Sequence, residues 1–504
     1  MTVEDQGGTI AFLASPASYG FAGPVERMET HISMIFLVGD RVYKLKKSLK
    51  LPYVDFSTAA IREDACRKEV ALNGETAPGL YIGVRRITRA DTGVLEFDGD
   101  GPLVDAVVEM GRFEQGQLFD RMAVAGRLTP DLMTQTARMI AFYHRRAPVV
   151  SKGGGAANIK VVLDINEAGF ATSHVFAAAE LAKLGEAFRS RLARHAGLLD
   201  RRAAAGKVRR CHGDLHLRNI CLLGGKPCLF DCIEFNLGIA TVDVLYDLAF
   251  LLMDLWHRGF PDLANLAMNR YLDETDDEDG FCLLPFLMAI RAAVRAHVTA
   301  TQAEEPGQDA LGLAREARSY FDLAASLLAD APPRLIAIGG LSGSGKTTVA
   351  DRLAARVGAP PGARIVESDR IRKALHGVSA ETRLPVSAYQ PDVSKKVYRE
   401  MARHAELILA EGGSVVADAV FDDPSNRRLI ETAAAGTGAG FQGVWLEADP
   451  ELLRQRVRER AGGPSDATTD VLSGQLARKP TDITWRHLDA SKAPDAVAAA
   501  ILQD

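Results

Sequence analysis

The stretch CHGDLHLRNICLL, residues 211–223, sets two histidines, an aspartate, an arginine and an asparagine within His212–Asn219, immediately before an apolar run. Three chemistries fit such a cluster: a metal centre, a catalytic loop, or a polar turn between strands. A zinc centre needs four convergent soft ligands, and Cys211, Cys221, Cys228 and Cys232 show no C-x-x-C pairing. Three of them sit in apolar, strand-like runs, where small buried hydrophobes is the better reading. The spacing from Asp214 to Asn219 suits a catalytic loop instead. The aspartate faces an attacking hydroxyl while the asparagine, one loop turn later, faces a divalent cation on phosphates.

Working outward, NICLLGGK and PCLFDCIEF form two strand-like runs joined by a Gly-Gly-Lys turn, and the second delivers Asp231 as a further metal ligand. A nucleotide-gripping lysine is then required on an earlier strand, with a glutamate on the helix after it. VYKLKK at 42–47 is that strand, with Lys44 and Lys46 on one face by alternation. Lys44 is the favoured residue, and CRKEVAL offers Glu69. No G-x-G-x-x-G loop precedes Lys44; ETHISMIF occupies its place, so Thr30, His31 and Ser33 are expected to cover the phosphates.

HGDLHLRN, FDCIEF and the later DVLYDLAFL resemble the aminoglycoside phosphotransferase family, which has a bilobal protein-kinase-like fold. That resemblance covers residues ~25–330. It implies Asp214 as catalytic base, Asn219 and Asp231 as Mg²⁺ ligands, and Lys44 with Glu69 positioning ATP. It also implies an adenine-binding hinge in the linker VVEMGRF, around Glu109 and Met110, and structural support of the loop by Asp243 and Asp247.

After DAPPR, where paired prolines stop a helix, the texture changes. RLIAIGG, ARIVES, GSVVADAV and FQGVWLEAD are apolar runs each followed by a helical segment, which predicts a doubly wound parallel sheet. GLSGSGKT at 340–347 fits G-x-x-x-x-G-K-[ST] between strand and helix. Gly340, Ser342, Gly343, Ser344, Gly345 and Thr348 belong to a backbone cradle for phosphates, Lys346 reaches the outer oxygens, and Thr347 ligates Mg²⁺. Asp369 ends the second strand, where a carboxylate can take the proton of an acceptor hydroxyl, and Arg370 or Arg372 can hold an anionic group. Asp418 ends the third strand and suits the Mg²⁺ shell. In LRQRVRER, Arg454, Arg456, Arg458 and Arg460 crowd one segment, and helical spacing puts Arg456 and Arg460 on one face as a lid over the phosphates. These motifs resemble small P-loop kinases of the gluconate kinase, zeta toxin and polynucleotide 5′-kinase type.

The whole chain thus resembles bacterial fusions of the two domains, with boundaries expected at 1–331 and 332–504. Length favours two or three domains over a single core. A net charge of −5 argues mildly against a polyanion-binding role for the chain as a whole. The N-terminus is acidic where a signal peptide is basic. FCLLPFLMAI at 281–290 contains a proline and runs into Arg291, which marks the start of a buried helix. The expectation is a cytoplasmic phosphotransferase that uses ATP and Mg²⁺ on the hydroxyl of a small molecule such as a sugar, amino sugar or aminoglycoside. Two other classes stay open: a polynucleotide 5′-hydroxyl kinase in the C-terminal half, and an ATP-binding regulatory protein with one non-catalytic domain. Oligomeric state has no signature in the sequence.

Overall fold

The computed structural model describes residues 4–51, 54–150, 154–305, 309–459, 463–478 and 482–503. The chain forms two compact units: Met1–Ile159 with Leu199–Asp254, and Lys160–Leu198 with Leu255–Asp504.

In the first unit, β1 (Glu26–Glu29), β2 (Ser33–Val38), β3 (Arg41–Lys46), β4 (Tyr81–Arg89), β5 (Leu95–Phe97) and β6 (Leu103–Gly111) make an antiparallel sheet in the order β1-β2-β3-β6-β4-β5. Alternation in β3 decides what each face carries. Tyr43 and Leu45 join Phe36, Val38 and Val107 in one buried cluster. Lys44 and Lys46 point the other way, toward helix α1 (Ala59–Thr76). Arg62, Cys66, Glu69 and Asn73 are buried along that helix at helical spacing, so a helix of low net amphipathicity still has one face committed to the sheet. Downstream, β7 (Val208–Arg210) leads into the loop of residues 211–219. The antiparallel pair β8 (Ile220–Leu223) and β9 (Lys226–Leu229) follows it, as the Gly-Gly-Lys turn predicts, and β10 (Thr241–Asp243) pairs back onto β7.

In the second unit, β11 (Arg334–Gly340), β12 (Arg364–Glu367), β13 (Val415–Asp418), β14 (Gly440–Glu447) and β15 (Arg486–Asp489) form an all-parallel sheet in the order β12-β13-β11-β14-β15. The four strands expected from the sequence are present; β15 is an addition, hidden by its polar RHLD composition. Strand order reverses at β11, so the carboxyl end of that strand is the switch point where such sheets place ligands. Helix α2 (Pro261–Thr275) lies against edge strand β12, and the apolar helix α3 (Leu284–Ala303) packs on Ala310–Leu327. The segment Glu278–Ala303 is long and apolar enough to cross a membrane, but 67% of its most apolar window is buried inside the protein, as a core helix should be. Among the described residues none of the six cysteines is in a disulfide, and every one except Cys282 is buried.

Candidate active sites

The opening loop is held from beneath. The Asp247 carboxylate accepts from the backbone N–H of Gly213 at 2.8 Å and of His212 at 3.1 Å, and it lies 3.1 Å from His144 Nε2. The buried His212 ring contacts the Phe230 carbonyl through Nε2 at 2.9 Å and accepts from Asp214 N–H through Nδ1 at 3.3 Å, which fixes the Nε2–H tautomer. Burial lowers the pKa of His212, which keeps the ring neutral. Leu217 N–H donates to Asp254 at 3.0 Å. Asp243 acts one step further back, in a two-toothed pair with the fully buried Arg202 that ties β10 to the helix Ala178–Ala204. On this base, Asn219 Nδ2 donates to both the side chain and the carbonyl of Asp214 at 2.8 Å. His216 Nε2 lies 3.3 Å from the same carboxylate.

Lys44 meets Glu69 at 2.8 Å and Asp231 at 2.5 Å, which brings together three residues that the sequence places far apart. Lys46 enters the same cluster, 2.6 Å from Glu69 and also paired with Glu234. Burial alone would raise the pKa of Glu69, yet Lys44 and Lys46 together hold it at about 2. Asp231 has a left-handed backbone (φ 64°), costly for a non-glycine residue. Its N–H donates to the Tyr81 hydroxyl at 3.1 Å, and that of Cys232 to Asn73 at 3.0 Å. Thr30, His31 and Ser33 lie at the β1–β2 turn, where Ser33 N–H donates to Thr30 Oγ1 at 3.0 Å. Glu234 escaped sequence reading, although it sits in FDCIEF beside residues that did not.

One expectation is corrected. Glu109 and Met110 lie inside β6, paired to β3 and β4 on both sides, not in a linker. Glu109 is engaged by Tyr43 and Arg85, and Met110 is buried beside Cys221 and Cys228. The apolar run simply continues the strand to Gly111.

In the second unit, Gly340, Gly343 and Gly345 have φ of 148°, 84° and 87° as the chain turns from β11 into helix α4 (Lys346–Ala354). A Cβ at Gly343 would strike the Leu453 carbonyl at 2.6 Å, so glycine is required there by close approach. Lys346 Nζ donates to the Leu341 carbonyl at 3.1 Å, and Ser342 N–H donates to Gln475 at 2.9 Å. Thr347 donates to Asp418 at 2.6 Å and lies 3.5 Å from Glu367. Glu367 was not singled out, yet it stands two residues before Asp369 at the same strand end. Burial and repulsion from Asp418 push its pKa up to about 8. Asp418 is raised to about 6 by burial, against the pull of Lys346 and Thr347. Burial also raises Asp369, with Ser465, Arg372 and Lys346 opposing.

These groups line one cavity of about 1230 Å³, which Ser342–Thr348, Glu367, Asp369, Asp418, Arg372 and Arg456 all reach. Arg456 donates to the Ala490 carbonyl at 2.9 Å from helix α5 (Pro450–Glu459). Arg454 pairs with Glu451 instead, and Arg460 lies outside the described residues. Arg370 is not available to an acceptor: it pairs with Glu367 at 2.9 Å and Asp273 at 3.2 Å. Arg372 remains in the cavity wall, its guanidinium 4.7 Å from the Tyr389 ring. Asp466, also unanticipated, gathers Lys373, Tyr389 and Leu384 N–H at 2.6, 2.6 and 2.9 Å.

A lysine, glutamate and aspartate cluster above a braced Asp–Asn loop, and a glycine cradle above a threonine and two carboxylates, define the class: an enzyme with two kinase-type domains. Comparison with known proteins supplies the families. Residues 98–284 match the model of the phosphotransferase enzyme family, and residues 335–480 match that of an AAA domain family. The chain therefore carries a kinase-like phosphotransferase domain followed by a P-loop kinase domain, and it is a phosphotransferase. It is 29% identical over 476 residues to an uncharacterized protein of Mycobacterium tuberculosis, covering 93% of this chain and 92% of that one. A shikimate kinase of Paramagnetospirillum magneticum is 36% identical over 143 residues, 28% of this chain and 65% of that one. Among solved structures, a choline/ethanolamine kinase family protein of Mesorhizobium loti is 15% identical, covering 63% of this chain and 92% of that one, with a TM-score of 0.39. A gluconokinase of Sinorhizobium meliloti is 21% identical, covering 34% of this chain and 90% of that one, with a TM-score of 0.25.

Proposed function

We propose that the protein is a cytoplasmic phosphotransferase with two separate ATP sites, one in residues 1–331 and one in 332–504, each acting on a hydroxyl of a small molecule such as a sugar or amino sugar. The observation that carries the proposal is the pair of buried carboxylates, Glu367 and Asp418, that meet the Thr347 hydroxyl beside an open glycine cradle. Two carboxylates raised by mutual burial call for a cation. A Cβ at Gly345 would meet nothing within 4 Å, and the buried Ser344 hydroxyl has no partner, which fits a cradle shaped for an anion.

Thr347 and Asp418 in one site, and Asn219 and Asp231 in the other, would hold the magnesium ion, which neutralises charge on the transferring phosphoryl group. The chain's own residues do the rest. Lys346 leaves the Leu341 carbonyl for phosphate oxygens, and Arg456 adds positive charge from α5. Asp369, whose raised pKa makes it a better proton acceptor, takes the hydrogen of the acceptor hydroxyl. In the first unit, Lys44 orients phosphates while held by Glu69. Asn219 fixes the Asp214 carboxylate so that it can receive the hydroxyl proton of its acceptor.

ADP release from Mg-ATP across sugars, amino sugars, aminoglycosides and 5′-hydroxyl oligonucleotides tests the reading, with Asp214→Asn and Lys346→Ala beside wild type. Two acceptors, each silenced by one substitution, are expected. A single acceptor lost only in Lys346→Ala would make the first unit a binding domain, and stimulation by oligonucleotide alone would replace the small-molecule reading.

A further inference from the structure

A buried polar seam joins helix α2 and the turn after it to the sheet edge that carries Glu367 and Asp369. Strand β12 is an edge strand, and an edge leaves backbone groups unpaired. Asn269 of α2 fills that vacancy as a neighbouring strand would: its Oδ1 accepts from Ile365 N–H at 2.8 Å and its Nδ2 donates to the Ala363 carbonyl at 3.3 Å. Asn265 donates to the carbonyls of Pro361 and Ala363 at 2.9 and 3.0 Å. Beside them Arg364 is clamped between Asp273 at 2.7 Å and Glu278 at 3.0 Å.

Asp273 then does something a packing residue would not. Its second oxygen meets Arg370 at 3.2 Å, and Arg370 Nε in turn grips Glu367 at 2.9 Å. Glu367 stands 3.5 Å from the Thr347 hydroxyl, which donates to Asp418 at 2.6 Å. An unbroken line of contacts thus runs from α2, outside the matched P-loop segment 335–480, to the threonine of the glycine cradle. Arg370 is the cation of this line that touches Glu367, and Asp273, which also pairs with Arg270 at 2.8 Å, holds that guanidinium in place. Resting on the reading of this cavity as a nucleotide site, we propose that Asp273 and Arg370 are positioning residues of the C-terminal phosphotransfer site, which fix Glu367 for magnesium-dependent nucleotide binding. The C-terminal kinase is then completed by a helix that precedes its matched P-loop segment.

The test is nucleotide binding, not turnover. In full-length protein carrying Lys44→Ala to quiet the first site, a fluorescent ATP analogue is titrated at increasing Mg²⁺, and melting is followed in parallel. Lys346→Ala is the control for the underlying reading; if it leaves binding unchanged, the nucleotide site itself is wrongly placed. Given that control, Arg370→Gln is expected to raise the Mg²⁺ concentration for half-maximal binding at least tenfold. Arg370→Lys should recover most of that loss, and both variants should melt as cooperatively as the parent. Asp273→Asn should match Arg370→Gln; should it fail to fold, the Arg370 pair decides alone. A Mg²⁺ requirement within twofold of the parent in Arg370→Gln, or equal defects in Arg370→Gln and Arg370→Lys, overturns the proposal.

Discussion

The two candidate sites handle buried charge in opposite ways. In the first unit, Glu69, Asp231 and Glu234 face Lys44 and Lys46, so the acids are met by cations from the chain itself. Around Thr347, Glu367 and Asp418 crowd together with Asp369 nearby, and burial outweighs the pull of Arg370 on Glu367 and of Lys346 on Asp418, so both carboxyls are raised. A cluster of close ion pairs keeps its geometry without a ligand, because breaking any pair strands a buried ion. Carboxyls raised by burial keep their protons until a cation or a higher pH displaces them. The first site is therefore built to wait, and the second to respond.

The sharpest way to break this comparison is to remove the group that each site uses in the reaction. Asp214→Asn and Lys346→Ala should each lower acceptor-stimulated ADP release at their own site by about 10³-fold, a magnitude usual for a general base or a phosphate-binding cation. Loss of both activities in either variant would mean that the sites are coupled. Next in size is Glu69→Gln. Glu69 is fully buried and touches both lysines, so its loss should cost about 3 kcal/mol in a denaturant midpoint. A loss under about 1 kcal/mol would show that Glu234 and Asp231 neutralise the lysines without it.

Much of this was legible in the sequence, and the reasons differ by site. GLSGSGKT carries its geometry locally, since backbone turns need glycine wherever they fold inward. Asp214, Asn219 and Asp231 likewise sit close in sequence, held by a loop and one hairpin. Glu69 required the further step of pairing a strand with a helix, and alternation along VYKLKK was enough to face both lysines toward it. What stayed hidden is what only tertiary packing creates. Arg370 looks like an acceptor-binding arginine until Asp273, ninety-seven positions earlier in the chain, is seen to hold it. Glu109 and Met110 fall in a linker by family resemblance alone, while the apolar run itself continues as strand to Gly111. The pairing of Lys46 with Glu234 exists only once the fold buries them together.

The smallest effect expected is also the one that most directly opposes the two sites, and it concerns pH. In magnesium-free buffer, folded Glu367 releases its proton near pH 8, whereas an unfolded glutamate does so near 4.5. The native state therefore holds a proton that the unfolded chain gives up between those values, and stability must fall as pH rises across that window. Glu69 runs the other way. Its folded pKa lies near 2, so its contribution is complete above about 4.5 and is lost only as pH falls toward 2. All three tryptophans, Trp256, Trp445 and Trp485, lie in the second unit, so their fluorescence reports that unit alone. Its melting temperature should decline by a few degrees from pH 5.5 to 8 in chelator, and Glu367→Gln should flatten the decline. Mg²⁺ should stabilise wild type more at pH 8 than at pH 6, because at higher pH the carboxylates are already free to receive it. A flat profile in wild type would mean that the acids around Thr347 are neutralised from within, and the contrast between the two sites would disappear.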